Sequence, residues 1–185
     1  SHGLFNTNKK YRMFIFKFEY KWGKGIANNF NQFQYDAGMY YHVVDDKIWP
    51  VGIEYQVRFN HLENRNHTGD FWASNLKWYS KDGSSFAMPS EGGKPVLDHK
   101  GEHRAAVGAK FNALNNKWNK CEVIVMGDMY TIHKLNGKVV NVATDLPFSE
   151  GVIGLQSETA EIFYRNIKIK EFDEVVPMET FLKNF

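Results

Sequence analysis

Three features of the sequence predict an all-β fold, a sandwich of two sheets or a barrel. Apolar residues recur with a period of two rather than 3.6. Turns containing glycine, aspartate or asparagine separate the periodic segments, and no segment has the pattern of an amphipathic helix. The aromatic share of 16% also suits strands. At 185 residues, we expect a single domain over residues 1–185.

Two segments show the alternation most clearly. In residues 11–22 one parity consists of the aromatic residues Phe14, Phe16, Phe18, Tyr20 and Trp22. In residues 51–60 the apolar parity alternates with one that carries Glu54, Gln56 and Arg58. Each segment is typical of a half-buried strand, and a slip of one residue in the second would bury three polar groups. Its register is therefore strongly fixed.

Shorter apolar segments between turn residues predict the remaining strands. We expect a turn at residues 36–38, a long connection at 81–104, and either a short helix or an edge strand in the tail, residues 175–185. The dipeptide Asn136-Gly137 is typical of a tight hairpin. The other predicted strands are residues 39–44, 118–126, 129–135, 139–143, 152–157 and 161–172.

Composition excludes several classes of function. A formal net charge of +2 without a concentrated basic stripe argues against nucleic-acid binding. No run of about eighteen apolar residues exists, so we expect no membrane span. The single cysteine, Cys121, cannot form an internal disulfide, and its apolar neighbours predict a buried structural thiol rather than a nucleophile.

Three pairs of polar residues stand two positions apart on predicted strands. Side chains with this spacing emerge on one face of a strand, about 7 Å apart. If the strands are neighbours, one sheet face presents carboxylates, amides, a phenol and an imidazole, which suits the hydroxyl groups of sugars. A merely solvated sheet face would show a similar alternation, and this alternative stays open. The pairs are Tyr40 with His42, Glu54 with Gln56, and Gln156 with Glu158.

Two further polar residues, His133 and Arg165, share their parity with apolar residues. His133 alternates with Met129 and Leu135, which predicts the core side of its strand. Arg165 alternates with apolar neighbours in the same way, so its guanidinium must be paired or reach a cavity.

Metal-binding motifs are absent from the sequence, and we predict no cofactor. The seven histidines form no His-x-His or His-Glu-x-x-His pattern, and there are no paired cysteines. One loop leaves a divalent metal ion open, since His61 and His67 flank a polar segment that also holds Glu63 and is followed by Asp70.

Several blocks of sequence together resemble the 3-keto-disaccharide hydrolase domain family. Each block alone is weakly specific, but their order and spacing extend over most of the chain. This resemblance implies a concanavalin A-like jelly-roll β-sandwich of two antiparallel sheets. The blocks are Asp36-Ala37-Gly38-Met39-Tyr40-Tyr41, Gly52-Ile53-Glu54-Tyr55-Gln56-Val57, Trp118-Asn119-Lys120-Cys121-Glu122-Val123, His133-Lys134-Leu135-Asn136-Gly137, Gly151-Val152-Ile153-Gly154-Leu155-Gln156 and Phe163-Tyr164-Arg165-Asn166-Ile167.

The resemblance implies a secreted or periplasmic bacterial protein, often lipid-anchored, that cleaves glycosides oxidised at C3. The ketone acidifies the C2 proton, so a base removes it, the C1 substituent leaves by elimination, and water adds back. Carried over to this sequence, Glu54 is the base or a cation-holding residue, and His133 transfers protons. The residues expected to bind substrate are Tyr40, His42, Gln56, Gln156, Glu158 and Arg165.

Three departures from the family pattern bear on activity. His42 stands where the family often has a basic residue such as arginine, and Asp70 stands where a small residue is usual. The chain also starts near what resembles the second or third strand of the family, so we expect the family's first strands upstream. The alternatives to an enzyme are a lectin-like module that binds carbohydrate without chemistry and a structural domain with a solvated polar face.

Overall fold

The computed structural model describes residues 3–27 and 30–182, apart from the side chains of residues 32 and 33. Within this part of the chain nearly all regular structure is β-strand, as the sequence predicts. The strands in chain order are β1 (Gly3–Asn6), β2 (Met13–Ile26), β3 (Tyr35–Val43), β4 (Ile53–Asn60), β5 (Arg65–Asn66), β6 (Phe71–Ser74), β7 (Lys77–Ser80), β8 (Lys94–Val96), β9 (Lys100–His103), β10 (Asn119–Met126), β11 (Tyr130–Leu135), β12 (Lys138–Thr144), β13 (Val152–Ser157) and β14 (Ala160–Glu171). The helical elements are single turns: α1 (Phe30–Phe33) and two 3₁₀ turns, Pro89–Glu91 and Met178–Thr180.

Two antiparallel sheets form a concanavalin A-like jelly-roll sandwich, which confirms the predicted fold class. The first sheet has the order β1-β13-β3-β4-β6-β9, with β5 paired to β4. The second has the order β14-β2-β10-β11-β12-β7-β8. Non-consecutive strands are neighbours in both sheets, so segments distant in sequence meet on each face.

Alternation along the strands builds the core between the sheets. In β2 the aromatic parity points inward, and Phe14 and Tyr20 are almost completely buried. In β4 the facing residues Ile53, Tyr55 and Val57 are fully buried. Cys121 lies in the same core, as its apolar neighbours predict. Because one parity of each strand fills this core, the polar parity of β4 must face away from the second sheet.

The structure differs from the expectations at two places, and in the tail it matches the short-helix alternative. Residues 36–38 are not a turn but part of β3, which begins at Tyr35. The connection at residues 81–104 contains two short strands, β8 and β9. The tail forms a 3₁₀ turn at Met178–Thr180, and residues 183–185 lie outside the described part of the chain. Over the described residues, no helix is long and apolar enough to cross a membrane.

Candidate functional site

A cavity of about 430 Å³ opens on the face of the first sheet that points away from the core. Polar side chains of β3 and β4 form its floor, and two tryptophans contribute to its walls. We call it the carboxyl cavity because three carboxyl groups line it. Its lining residues are Asp36, Tyr40, Trp49, Pro50, Glu54, Gln56, Arg58, Trp72 and Glu158.

The floor of the carboxyl cavity follows directly from the register of β3 and β4. Tyr40 pairs with Glu54, and Asp36 pairs with Arg58. Directly paired residues point to the same side of a sheet, so these four side chains converge. Between them Gly38 pairs with Gln56, and the absence of a side chain at Gly38 leaves space that the Glu54 carboxyl group occupies. A Cβ atom at residue 38 would overlap Glu54 Oε1.

Glu54 is a buried carboxyl group, only 4% exposed. Burial, together with the negative charges of Asp36 and Glu158, raises the pKa of Glu54 well above its usual value, although Tyr40 and Arg58 oppose the increase. The same burial, with Glu54 beside it, raises the pKa of the Tyr40 phenol. Glu54 is therefore a stronger proton acceptor than an exposed glutamate, and it is protonated over a wider pH range.

Asp36 is the second carboxyl group of the cavity with an altered pKa. Burial and the neighbouring Glu158 raise its pKa to about 8, while the positive charge of Arg58 opposes this increase. Asp36 is therefore mostly protonated at neutral pH and can donate a proton. The site thus combines two carboxyl groups of raised pKa with the guanidinium group of Arg58.

Glu158 is held in place by two hydrogen bonds to its Oε1. Trp49 Nε1 donates to it at 2.8 Å, and Gln156 Nε2 donates to it at 3.2 Å. Gln156 itself is 2% exposed, so it supports Glu158 from below and does not line the cavity. Of the predicted pair of Gln156 and Glu158, only Glu158 therefore lines the cavity.

Two indole rings give the carboxyl cavity an apolar surface that solvent can reach. Trp49 is 55% exposed and Trp72 is 49% exposed, although both border buried polar groups. Trp72 pairs with Glu54 across the β4–β6 ladder, so its ring lies next to the acid. Exposed indoles beside carboxyl and amide groups are a typical arrangement for sugars, whose apolar ring faces stack on aromatic rings.

His133 does not line this cavity, so the structure does not bring it together with Glu54, and its role in proton transfer stays a prediction. It lies between the two sheets, fully buried, where Nε2 contacts the Tyr41 hydroxyl at 2.9 Å and Nδ1 contacts the carbonyl of Gly69 at 2.9 Å. Burial lowers the pKa of His133 to about 3, so the imidazole is neutral. The core side that its parity predicts is correct, and that position separates it from the carboxyl cavity.

His42 and Arg165 also lie outside the cavity, so the structure does not bring these two predicted substrate-binding residues together with Glu54. His42 has a left-handed φ of 51°, which breaks the alternation of β3 after Tyr40, and its Nε2 contacts the Gly127 carbonyl at 2.7 Å. Arg165 lies on the outer face of the second sheet. There it pairs with Glu19 at 3.3 Å and its guanidinium stacks 4.0 Å from the Trp118 ring centroid.

The site also contains residues that the sequence analysis did not assign. Arg58 shares the parity of Glu54 and Gln56, so that alternation already placed it on the same face. Asp36 was missed because Asp36-Ala37-Gly38 resembles a turn in composition. Trp49 lies in the loop before β4, and nothing in the local pattern predicts that a loop indole reaches a sheet face.

One group of described residues beside the carboxyl cavity could hold a metal ion: His67, Asp70 and Glu102. His67 Nδ1 lies 3.0 Å from Asp70 Oδ2 and 3.1 Å from Glu102 Oε1. Burial alone would lower the pKa of His67, but the two carboxylates raise it above its usual value. Arg58 links this group to the cavity, since its guanidinium lies 3.9 Å from Glu102.

The chain belongs to the 3-keto-alpha-glucoside-1,2-lyase-like domain family. Residues 1–170 match the sequence profile of this family, which confirms the resemblance found in the sequence. The family is carbohydrate-related and resembles glycoside hydrolases in function. Among curated proteins, none matches the chain significantly in sequence.

Solved structures of similar fold include two proteins from Parabacteroides distasonis ATCC 8503 that are provisionally described as glycosyl hydrolases. One is 20% identical with a TM-score of 0.57, covering 91% of this chain and 74% of that protein. The other is 21% identical with a TM-score of 0.56, covering 93% and 84%. Carbohydrate-binding module CBM66 from Bacillus subtilis is 16% identical with a TM-score of 0.53, covering 92% and 82%. At these identities the similarity establishes the fold alone.

Proposed function

We propose that the protein cleaves 3-keto-glycosides by elimination and hydration in the carboxyl cavity. The observation that carries this proposal is the convergence of Glu54, Asp36 and Arg58 on one cavity with raised carboxyl pKa values. Such a reaction needs a base, an acid and a cation in one place, and these three side chains provide them. Membership of the lyase-like family supports the same chemistry.

In the first half of the proposed reaction, ionised Glu54 removes the proton from C2. The C1–O bond breaks as a C1=C2 double bond forms, and the Asp36 carboxyl group gives its proton to the departing oxygen. The charge that develops on the ketone oxygen is stabilised by the Arg58 guanidinium. In the second half, ionised Asp36 takes a proton from water as the hydroxyl group adds to C1, and Glu54 returns its proton to C2, so that both carboxyl groups regain their starting states. The sum of the two halves is hydrolysis.

The roles of base and acid divide between two coupled carboxyl groups. Glu54 and Asp36 repel each other when both are ionised, so one proton stays on the pair over a range of pH. Glu54 lies next to Tyr40, whose hydroxyl stabilises the ionised form, and this favours Glu54 as the base. Asp36, with its pKa of about 8, keeps the remaining proton.

A second candidate function is carbohydrate binding without cleavage. The exposed indoles of Trp49 and Trp72 favour it, because they provide stacking surfaces that need no chemistry. The expected difference lies in the carboxyl groups: an enzyme requires ionisable groups at positions 36 and 54, whereas a binding module tolerates their amides.

The test is to incubate the protein with a 3-keto-α-glucoside and to follow the anomeric signals by nuclear magnetic resonance. We expect the released alcohol and 3-keto-glucose, and no reaction with the parent glucoside, whose C2 proton is not acidic. Glu54→Gln should lower turnover by about 10²–10⁴-fold. Exposed Glu174→Gln is the matched control and should leave turnover unchanged.

Two outcomes would contradict the proposed reaction. Turnover that survives in Glu54→Gln removes Glu54 from the mechanism. Saturable binding of the 3-keto-glucoside without any product, in the wild type, favours the second candidate function.

A further inference from the structure

The group of His67, Asp70 and Glu102 is assembled by backbone pairing. His67 and Asp70 flank a tight turn in which the Asp70 amide donates to the His67 carbonyl at 3.0 Å. Glu102 pairs with Trp72 across the β6–β9 ladder, so it points to the same face as the carboxyl cavity. The three ligand atoms lie within 4.8 Å of one another. This spacing results from main-chain geometry rather than from flexible surface side chains.

The group is also rigid and largely shielded from solvent. His67 is 5% exposed and Asp70 is 1% exposed. The second oxygen of Asp70 accepts a hydrogen bond from the Ala105 amide at 2.7 Å, which fixes the carboxylate and turns Oδ2 towards His67. Metal-binding carboxylates are usually oriented by a second hydrogen bond of this kind.

From this geometry we propose that His67 Nδ1, Asp70 Oδ2 and Glu102 Oε1 bind a divalent transition-metal ion at the edge of the carboxyl cavity. Nδ1 lies 3.0 Å from Asp70 Oδ2 and 3.1 Å from Glu102 Oε1, so the three ligand atoms already converge on one position. One imidazole with two carboxylates favours Zn²⁺ or Mn²⁺ over Ca²⁺ and Mg²⁺, which prefer oxygen ligands alone.

A buried side-chain oxygen without a hydrogen-bond partner among the described residues, Gln56 Oε1, lies on the neighbouring strand. Gln56 lies beside the turn. Its backbone N–H group donates to the Asp70 backbone carbonyl at 2.9 Å, and its backbone carbonyl accepts from the Gly69 backbone N–H group at 2.9 Å. Gln56 is 5% exposed, and its Oε1 has no hydrogen-bond partner among the described residues. A buried amide oxygen without a partner is costly, so a cation beside it would satisfy that oxygen.

Two arginines limit the affinity of the site. Arg58 lies 3.9 Å and Arg104 lies 3.8 Å from Glu102. Their charges already neutralise part of the carboxylate pair, so we expect weaker binding than in a closed four-ligand zinc site. The proposal does not depend on the proposed function, because the test below measures metal binding and not turnover.

The test is calorimetric titration of the untagged, metal-stripped protein with Zn²⁺. We expect one equivalent to bind near pH 7, and at least tenfold weaker binding near pH 5, because protons compete with the metal ion for imidazole and carboxylate ligands. Glu102→Gln and Asp70→Asn should each weaken binding at least tenfold. Glu63→Gln, an exposed glutamate of the same loop, is the matched control and should bind as the wild type does.

Asp70 is fully buried, so Asp70→Asn needs a circular dichroism spectrum to show that it folds. Glu102 is partly exposed, and Glu102→Gln keeps the test decisive if the other variant does not fold. Absence of binding by the wild type overturns the proposal. Equal binding by Glu102→Gln and Glu63→Gln overturns it too, since the ion would then lie elsewhere.

Discussion

At the scale of single residues, burial raises the pKa values of two carboxyl groups in the cavity above their ordinary range. Glu54 and Asp36 both have raised pKa values: the charge of Asp36 contributes to the increase at Glu54, and the charge of Glu158 contributes to the increase at Asp36. Two acids that resist simultaneous ionisation behave as one coupled pair with two apparent pKa values. The pH dependence of the proposed reaction should therefore report on this pair.

We expect a bell-shaped dependence of kcat/KM on pH for cleavage of a 3-keto-glucoside. Activity should rise as Glu54 ionises, at a pH well above 4.5, and should fall above about pH 8 as Asp36 loses its proton. Asp36→Asn cannot titrate, so the alkaline fall should disappear and the maximum should decrease about 10²-fold. Steady-state rates from about pH 5 to pH 9 measure both effects, and an unchanged alkaline limb in Asp36→Asn would assign the acid elsewhere.

Strand alternation in the sequence predicts the position of some site residues and fails for others. Tyr40, Glu54 and Gln56 occupy the expected face because strand parity is strict while φ stays extended. His42 does not lie on that face, because its own left-handed backbone conformation interrupts the alternation of β3. Arg165 was assigned to the inner side through its apolar neighbours, yet those neighbours, Phe163 and Ile167, are themselves exposed. Parity fixes which residues share a face, but not which face is covered.

At the scale of elements, the paired strands β3 and β4 contribute most of the polar side chains that line the carboxyl cavity. A glycine in the centre of a strand weakens the strand. The close approach of Glu54 explains the glycine at position 38, because the Glu54 carboxyl group occupies the space where a side chain would otherwise lie. The segment Asp36-Ala37-Gly38 resembled a turn because aspartate and glycine are turn residues, whereas here both serve the site.

Gly38→Ala tests this dependence at the level of the strand pair. The added methyl group overlaps Glu54 Oε1, so the carboxyl group must move, while the extended backbone accepts alanine without strain. We expect turnover to fall about tenfold or more, since small displacements of a catalytic group are costly. Circular dichroism should show an unchanged sheet content.

The matched control for this variant is Gly3→Ala on β1. Its new methyl group would lie 3.5 Å from Ser157 Oγ, an ordinary contact. We expect wild-type turnover from the control. If Gly38→Ala also keeps wild-type turnover, the position of the Glu54 carboxyl group does not limit the reaction.

At the scale of the whole molecule, the jelly-roll order brings the site together from separate parts of the chain. The strands β13, β3, β4 and β6 are neighbours in one sheet, although their sequence positions extend from 35 to 157. The sequence indicates the strands and their faces, but the proximity of Glu158 to Asp36 depends on which strands pair. Trp49 adds a loop to this assembly through its hydrogen bond to Glu158. Pairing order and loop paths are long-range properties that local patterns do not contain.

This assembly has a cost in stability that depends on pH. Asp36 has a raised pKa in the folded protein, so between about pH 4 and pH 8 the folded state holds a proton that the unfolded state has released. The stability contributed by that proton is present below the unfolded pKa and is lost as the pH rises through the folded pKa.

We therefore expect Asp36→Asn to be about as stable as the wild type near pH 4, and more stable by about 1 kcal/mol or more near pH 8. Urea unfolding of both proteins across this range measures the difference, with exposed Glu174→Gln as the control that should show no such trend. A stability difference that stays constant with pH would show that Asp36 ionises in the folded protein as it does in the unfolded chain.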